Sequence, residues 1–180
     1  MTSPDRPERV EHRAERTYEV PATPEQVWQA IATAEGISAW MLPTRLDPQV
    51  GGEVSFDLDG HPMTGVVTGY SPPRRFAYEE PWPLGERVED VPAEMADWLA
   101  SIGIPLSEVD PSAVTPVATE FLVESVSGGS CVIRVVTSAY GVGADWEHEF
   151  FTEMVAGTAE IFDRLAAHLG GVPVAAGSPS

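Results

Sequence analysis

The chain has 180 residues, 43% hydrophobic content and a formal net charge of -18 at pH 7, and all ten of its basic residues are arginines. A strongly negative field without a basic face repels nucleic acid and anionic membrane surfaces, so neither is expected as a partner. The composition is typical of a folded, loop-rich protein, and the length favours a single domain.

The single cysteine, Cys131, excludes an intrachain disulfide and gives no sign of an oxidising compartment. It lies in the strand-like run "SCVIRVV", where a free cysteine usually behaves as a small buried hydrophobe. The first residues lack the apolar core of a signal peptide, and no apolar run approaches the roughly 18 residues of a transmembrane helix. We therefore expect a cytoplasmic protein.

The predicted domain covers residues 14–170, between a flexible N-terminus over 1–13 and a flexible tail over 171–180. Its first elements are a strand, "RTYEV", and a helix within "ATPEQVWQAIAT". Thr23 is a good N-cap and Gln26 stands where a capping box requires Glu or Gln. A second short helix, "EGISAWM", follows.

The middle of the chain predicts an antiparallel meander. "GEVSFDLDG" alternates apolar and polar residues, as a strand with one buried face does. The runs "MTGVVTGY", "SPPRRFAYEE", "PVATEFLVESV" and "CVIRVVTSAY" supply four further strands. The longest helical pattern spans about residues 144–169 and ends at two glycines.

A helical segment interrupts this meander at about residues 83–115. Met95, Trp98, Leu99 and Ile102 form an apolar stripe, and a helix this short must dock on a larger surface to be stable. Asp90 is its expected N-cap. We hypothesise that the helix is a lid that covers the mouth of a ligand cavity, with Trp82 and Trp98 near the rim. The alternative is a contact in a homodimer.

The strings "VPATPEQVWQAIATAEGISAWM", "VGGEVSFDLDG", "GVVTGYSPPRRFAYEEPW" and "DRLAAHL" resemble the family named for the activator of heat shock protein 90 ATPase. That family belongs to the START-like (SRPBCC) superfamily. The resemblance implies an α+β helix-grip fold, in which a curved antiparallel sheet wraps around a long C-terminal helix and two short helices follow the first strand. It also implies a cavity between sheet and helix that commonly takes an apolar small molecule. Two departures are Thr158, where members often have Trp after Gly157, and the long 83–115 segment.

Aromatic and methionine side chains are the expected cavity walls, because they give large contact areas and adaptable shapes. Each of them is also compatible with an ordinary core position. The ligand-binding residues expected from the sequence are Trp28, Trp40, Met41, Phe56, Met63, Tyr78, Trp82, Trp98, Arg134, Trp146, Phe150 and Met154. Gly65, Gly69 and Gly157 either leave space in this cavity or allow close backbone packing; we expect space.

Arg134 has two interpretations. If its strand face is inward, the guanidinium anchors a ligand carboxylate or carbonyl. If the face is outward, Arg134 forms a surface pair with Glu120 or Glu124, which is the favoured interpretation since charged residues are mostly exposed.

No metal or cofactor is expected. The string "HEFFTE" lacks the second histidine of a zinc-protease helix, and the four histidines are widely scattered. We therefore predict a protein that binds a small apolar or amphipathic ligand. One alternative is a cyclase- or dehydratase-like enzyme acting on a polyketide-like substrate through Tyr78, Glu120, Arg134 or His148. The other is a module that activates a chaperone ATPase.

Overall fold

The computed structural model describes residues 8–173. Strand β1 (Val10–Val20) leads into helices α1 (Pro24–Ile31) and α2 (Ala34–Ser38). The predicted capping box is confirmed: the Gln26 amide donates to the Thr23 hydroxyl at 3.2 Å, and the Thr23 amide donates to the Gln26 side chain at 2.9 Å. Both otherwise unpaired amides at the start of α1 are thereby satisfied.

All the described strands belong to one antiparallel sheet, which curves around a long helix, α4 (Asp145–His168). The remaining strands are β2 (Thr44–Leu46), β3 (Glu53–Leu58), β4 (His61–Ser71), β5 (Arg75–Glu80), β6 (Val117–Val126), β7 (Ser130–Gly141) and β8 (Val172–Pro173). Their order across the sheet is β2-β3-β4-β5-β6-β7-β1-β8. This is the predicted helix-grip arrangement, with α1 and α2 placed after the first strand.

The sheet extends beyond the predicted domain limits at both ends. β1 already pairs Val10 with Gly141, so residues 10–13 are not part of a flexible N-terminus. The apolar pattern of a strand is missing here, because Glu11 and Arg13 are charged and Val10 is exposed; only His12 turns inward, where it is 6% exposed. At the other end β8 pairs with β1. The predicted flexible segments otherwise fall on residues 1–7 and 174–180, which lie outside the described part of the chain.

The larger of two apolar cores lies between the sheet, α1, α2 and the C-terminal half of α4. Phe76 on β5 and Leu165 on α4 are fully buried there, and Tyr18 on β1 is 1% exposed. Burying side chains of this size contributes about 1.5–3 kcal/mol each. This core holds the C-terminal half of the long helix against the sheet.

The interrupting segment builds the second core with the N-terminal half of α4. Its helix, α3 (Ala93–Ser101), buries Leu99 completely, and the Trp98 ring packs edge-on against Phe150 with centroids 5.4 Å apart. The apolar stripe of α3 is therefore covered by its own chain. The predicted N-cap was wrong: Pro92 precedes α3, while Asp90 ends a separate 3₁₀ turn, Val88–Asp90.

Candidate functional site

A cavity of about 380 Å³ lies between the sheet and the middle of α4. Its walls come from β4 to β7, from the loop after α2, from the segment 81–83 and from one face of α4. The lining residues are Met41, Leu42, Pro62, Met63, Thr64, Tyr78, Glu80, Pro81, Trp82, Pro83, Val117, Thr119, Thr137, Met154, Thr158, Ile161 and Phe162. Pro62, Met63, Thr64, Pro81 and Pro83 are exposed, so these two short segments frame an opening to solvent.

The sheet wall follows from strand alternation and register. On β5, Phe76, Tyr78 and Glu80 are spaced two residues apart and share the inner face. The register places Tyr78 opposite Thr119 of β6, and Thr119 opposite Thr137 of β7. Hydroxyl groups therefore lie in a row across three neighbouring strands at the floor of the cavity.

The helix wall is one stripe of α4. Met154, Thr158 and Ile161 recur at i, i+4 and i+7, which places them above one another on the same face. Two of these three side chains are apolar, and the threonine supplies a single hydroxyl. The opposite face of α4, which includes Ala156, is exposed.

Trp82 forms the wall beside the opening, and the interrupting segment holds it in position. Its indole N–H donates to the Thr115 carbonyl at 2.6 Å. Its ring contacts Phe150 and Trp146, with centroids 5.2 and 6.0 Å away. The predicted lid was wrong in this respect: no residue of α3 lines the cavity, and Trp98 packs on α4 instead of lying at the rim.

Of residues 8–173, Glu80 is the only charged one in the lining. Burial raises the pKa of its carboxyl from an ordinary 4.5 to about 7. Burial, followed by the nearby Glu80, also raises the pKa of the Tyr78 hydroxyl above its ordinary value of 10.0. The phenol therefore stays protonated at neutral pH, while Glu80 is poised between its two states.

Five of the predicted wall residues line this cavity: Met41, Met63, Tyr78, Trp82 and Met154. Trp40 and Phe56 instead border a neighbouring void that has no room for a water molecule. The Trp40 indole donates to the Ala30 carbonyl at 2.8 Å, which fixes the ring in the core.

The other predicted aromatic residues are core residues. Trp28 packs edge-on against Tyr70, with ring centroids 5.2 Å apart, in the larger core. Trp98, Trp146 and Phe150 belong to the second core. Residue type alone did not separate these positions from the cavity wall, because aromatic rings fill a core as readily as they line a pocket.

Arg134 lies outside the lining of this cavity. Its side chain is half exposed on the outer face of the sheet, with Nε 3.5 Å from a carboxylate oxygen of Glu15. Alternation on β7 explains this, since Ile133 and Val135 take the inner face. The outward interpretation was correct, but the ion-pair partner is Glu15 and neither Glu120 nor Glu124; Glu120 pairs with Arg75 instead.

The sheet glycines serve close packing rather than open space. A Cβ atom on Gly65 would collide with the Glu79 carbonyl and the Glu80 side chain, and one on Gly69 would collide with the Arg75 guanidinium. Gly157 lies on the exposed face of α4, so it does not widen the cavity.

Sequence reasoning missed Glu80, Thr119 and Thr137. The alternation "RFAYEE" already placed Glu80 on the same face as Tyr78, and this pattern could have identified Glu80 as an inward residue.

Among residues 8–173, no group of three or more His, Cys, Asp and Glu residues is arranged to hold a metal ion. Within the same range, no helix has the length and apolar character needed to cross a membrane.

A curved antiparallel sheet closed by a C-terminal helix over an apolar cavity defines the helix-grip class of START-like proteins. The model of the family described as activator of Hsp90 ATPase homolog 1-like protein matches residues 21–170. The chain therefore belongs to this family. No curated protein matches the sequence.

Solved structures share the fold at low sequence identity. An HSP90 activator from Plasmodium falciparum superimposes with a TM-score of 0.61 at 13% identity, covering 90% of this chain and 99% of that one. A protein from Mesorhizobium loti gives a TM-score of 0.57 at 15% identity, covering 87% and 93%. Norcoclaurine synthase from Thalictrum flavum, solved with dopamine and hydroxybenzaldehyde, gives a TM-score of 0.54 at 14% identity. The match covers 87% of this chain and 85% of that one.

Proposed function

We propose that this protein binds a small apolar or amphipathic molecule in the cavity between the sheet and α4. The observation that carries the proposal is an open cavity of about 380 Å³ with mostly apolar walls and a few polar groups. Ligand sites of about 300–1,000 Å³ typically combine an apolar lining with a small number of polar anchors. The described part of the chain offers this combination between β5 and α4.

In this proposal the interrupting segment supports the wall instead of covering the opening. Trp82 contributes the wall, and its contacts with Thr115, Trp146 and Phe150 keep the ring in one orientation. A wall held in position reduces the conformational entropy lost when a ligand binds.

A plugged cavity tests the proposal. Thr158→Trp places a bulky ring on the lining face of α4, and Ala156→Trp places the same ring on the exposed face two residues away. With N-phenyl-1-naphthylamine as an uncharged fluorescent probe, we expect saturable binding by the wild type and by Ala156→Trp. Thr158→Trp should weaken it by about tenfold or more, or 1.4 kcal/mol. Equal binding by all three proteins, or by none, would refute the cavity as the binding site.

A second candidate function is acid–base catalysis on a polyketide-like substrate. It is favoured by the position of Glu80 next to Tyr78 in the cavity, with a carboxyl pKa of about 7. Of the four residues predicted for such a role, only Tyr78 lines the cavity. Product formation that is lost in Glu80→Gln while substrate binding persists would establish this function.

Family membership also makes activation of a chaperone ATPase a candidate. Its test is the ATPase rate of Hsp90 with and without the purified protein. Thr158→Trp and the wild type should stimulate equally if an outer surface is responsible. We also propose a cytoplasmic location and a homodimer, and analytical ultracentrifugation tests the homodimer. Of the α3 stripe, Leu99 is buried, while Met95, Trp98 and Ile102 are partly buried against the second core of the same chain.

A further inference from the structure

Within the described part of the chain, the cavity lining carries an acidic side chain without a basic one beside it. Among the described residues, Glu80 is the only one that places a carboxylate in the lining, and none of them places an Arg or His side chain there. Across residues 8–173, Glu80 takes part in no ion pair. The cavity therefore holds a carboxylate for which the described residues supply no counter-ion.

The position of this carboxylate is built into the sheet. Glu80 is the last residue of β5, opposite Val117 of β6, and it continues the inner face of Phe76 and Tyr78. Gly65 on β4 provides the room for it, since any side chain there would collide with the Glu80 Cγ. A larger residue at position 65 would meet the Glu79 carbonyl oxygen first and the Glu80 Cγ next, so it would disturb the end of β5 that carries Glu80.

The surroundings suit a positive charge. The rings of Tyr78, Trp82 and Phe162 line the same cavity, and aromatic faces attract a cation. The hydroxyls of Thr119 and Thr137 have lone pairs that accept hydrogen bonds from an ammonium group. An anionic ligand would meet the like charge of Glu80 and a molecule with a net charge of -18.

We propose that the cavity selects amphipathic cations, in which an apolar or aromatic body carries an ammonium group that pairs with Glu80. The body then lies against Met41, Met154 and Ile161. This inference rests on the proposed ligand-binding function and specifies the class of its ligand.

The proposed pairing is pH-dependent. From β4, β6, β7 and α4, the cavity wall presents only neutral side chains toward Glu80, and Tyr78 on its own strand is a protonated phenol. An alkylammonium ion stays charged up to about pH 10. Because the Glu80 carboxyl has a pKa of about 7, amine binding should weaken as the pH falls through 7 and the carboxyl takes up a proton.

Three probes that share a naphthalene body test the inference: the amine 2-(2-naphthyl)ethylamine, the alcohol 2-(2-naphthyl)ethanol and the carboxylate anion of 2-naphthaleneacetic acid. Affinities are measured by titration calorimetry at pH 8 and pH 5.5. At pH 8 we expect the amine to bind the wild type about tenfold or more tightly than the alcohol, and the carboxylate anion to bind most weakly. The amine affinity should fall by up to about thirtyfold at pH 5.5, while the alcohol affinity stays constant.

Glu80→Gln should abolish the preference for the amine and its pH dependence while still binding the alcohol, which shows that the cavity is intact. Glu79→Gln is the matched control: it removes the same charge from the neighbouring, exposed residue of β5 and should behave as the wild type. Equal affinity of the wild type for amine and alcohol overturns the inference but leaves the proposed function standing. A preference that survives in Glu80→Gln also overturns it. If neither the amine nor the alcohol binds the wild type, the proposed function itself fails.

Discussion

At the scale of single residues, Glu80 illustrates a conflict between strand pattern and solvation. Alternation on β5 places it on the inner face, where a carboxylate loses much of its hydration. The folded protein consequently binds the proton more tightly than the unfolded chain does: the carboxyl pKa is about 7 against an ordinary 4.5. A group that retains its proton in the folded state stabilises the fold fully below about pH 4.5, and this stabilisation is lost as the pH rises through 7.

Glu80→Gln should therefore raise the free energy of unfolding at pH 8, by up to about 3 kcal/mol, because it removes a buried charge. The gain should shrink toward pH 5, where the wild-type carboxyl is protonated in the folded state. Urea denaturation of both proteins at pH 5 and pH 8 measures the difference. Glu79→Gln serves as the exposed control, and an equal gain at both pH values would contradict the argument.

At the scale of elements, α3 shows how a helix of nine residues becomes stable through tertiary contacts. Its N-cap position, Pro92, offers no side-chain cap, so packing has to supply the stability. Leu99 is fully buried in the second core, together with Ile104 and Trp146. The same core contains Trp82, so the packing of α3 and one wall of the cavity depend on each other.

Leu99→Ala should lower the free energy of unfolding by about 2–5 kcal/mol, through lost burial and the space left behind. It should also weaken binding of the uncharged probe, because the core that holds the Trp82 ring becomes less tightly packed. Ala100→Ser on the exposed side of α3 is the control for stability and binding. A loss of stability with unchanged probe affinity would show that Trp82 is held independently of α3.

The middle of α4 tolerates a glycine that the fold does not need for space. Gly157 is exposed, and a Cβ atom at this position would meet no neighbouring atom within 4 Å. Gly157→Ala should therefore raise the free energy of unfolding by about 0.5–1 kcal/mol through helix propensity and reduced backbone entropy. Thermal denaturation measures this gain. Probe affinity should be unchanged; a fall in affinity would mean that residue 157 contributes to the cavity after all.

At the scale of the whole molecule, each of the two cores packs against a different half of α4. The larger core fixes the C-terminal half of α4 on the sheet, and the second core fixes its N-terminal half through the interrupting segment. The cavity lies where the two cores meet, against the middle of the helix. A net charge of -18 surrounds it with a negative field, which raises the local concentration of cations.

The sequence by itself determined the local structure and the class of fold. The capping box at Thr23 and Gln26, the alternation of β3 and the glycines after α4 depend on contacts between near neighbours, so their patterns can be seen in one dimension. The resemblance of four sequence segments to the family then specified how the strands and the long helix are arranged. By the same alternation Glu80 was predictable as an inward residue, although it was not recognised.

Only the tertiary structure decided which inward residues line open space. Trp28, Trp40 and Tyr78 have the same aromatic character, yet the first two fill the core and the third faces the cavity. The difference depends on how side chains from distant segments fill the volume between sheet and helix. No local sequence pattern determines that total side-chain volume. For the same reason the docking of α3 on α4, rather than across the opening, emerged only from the packed molecule.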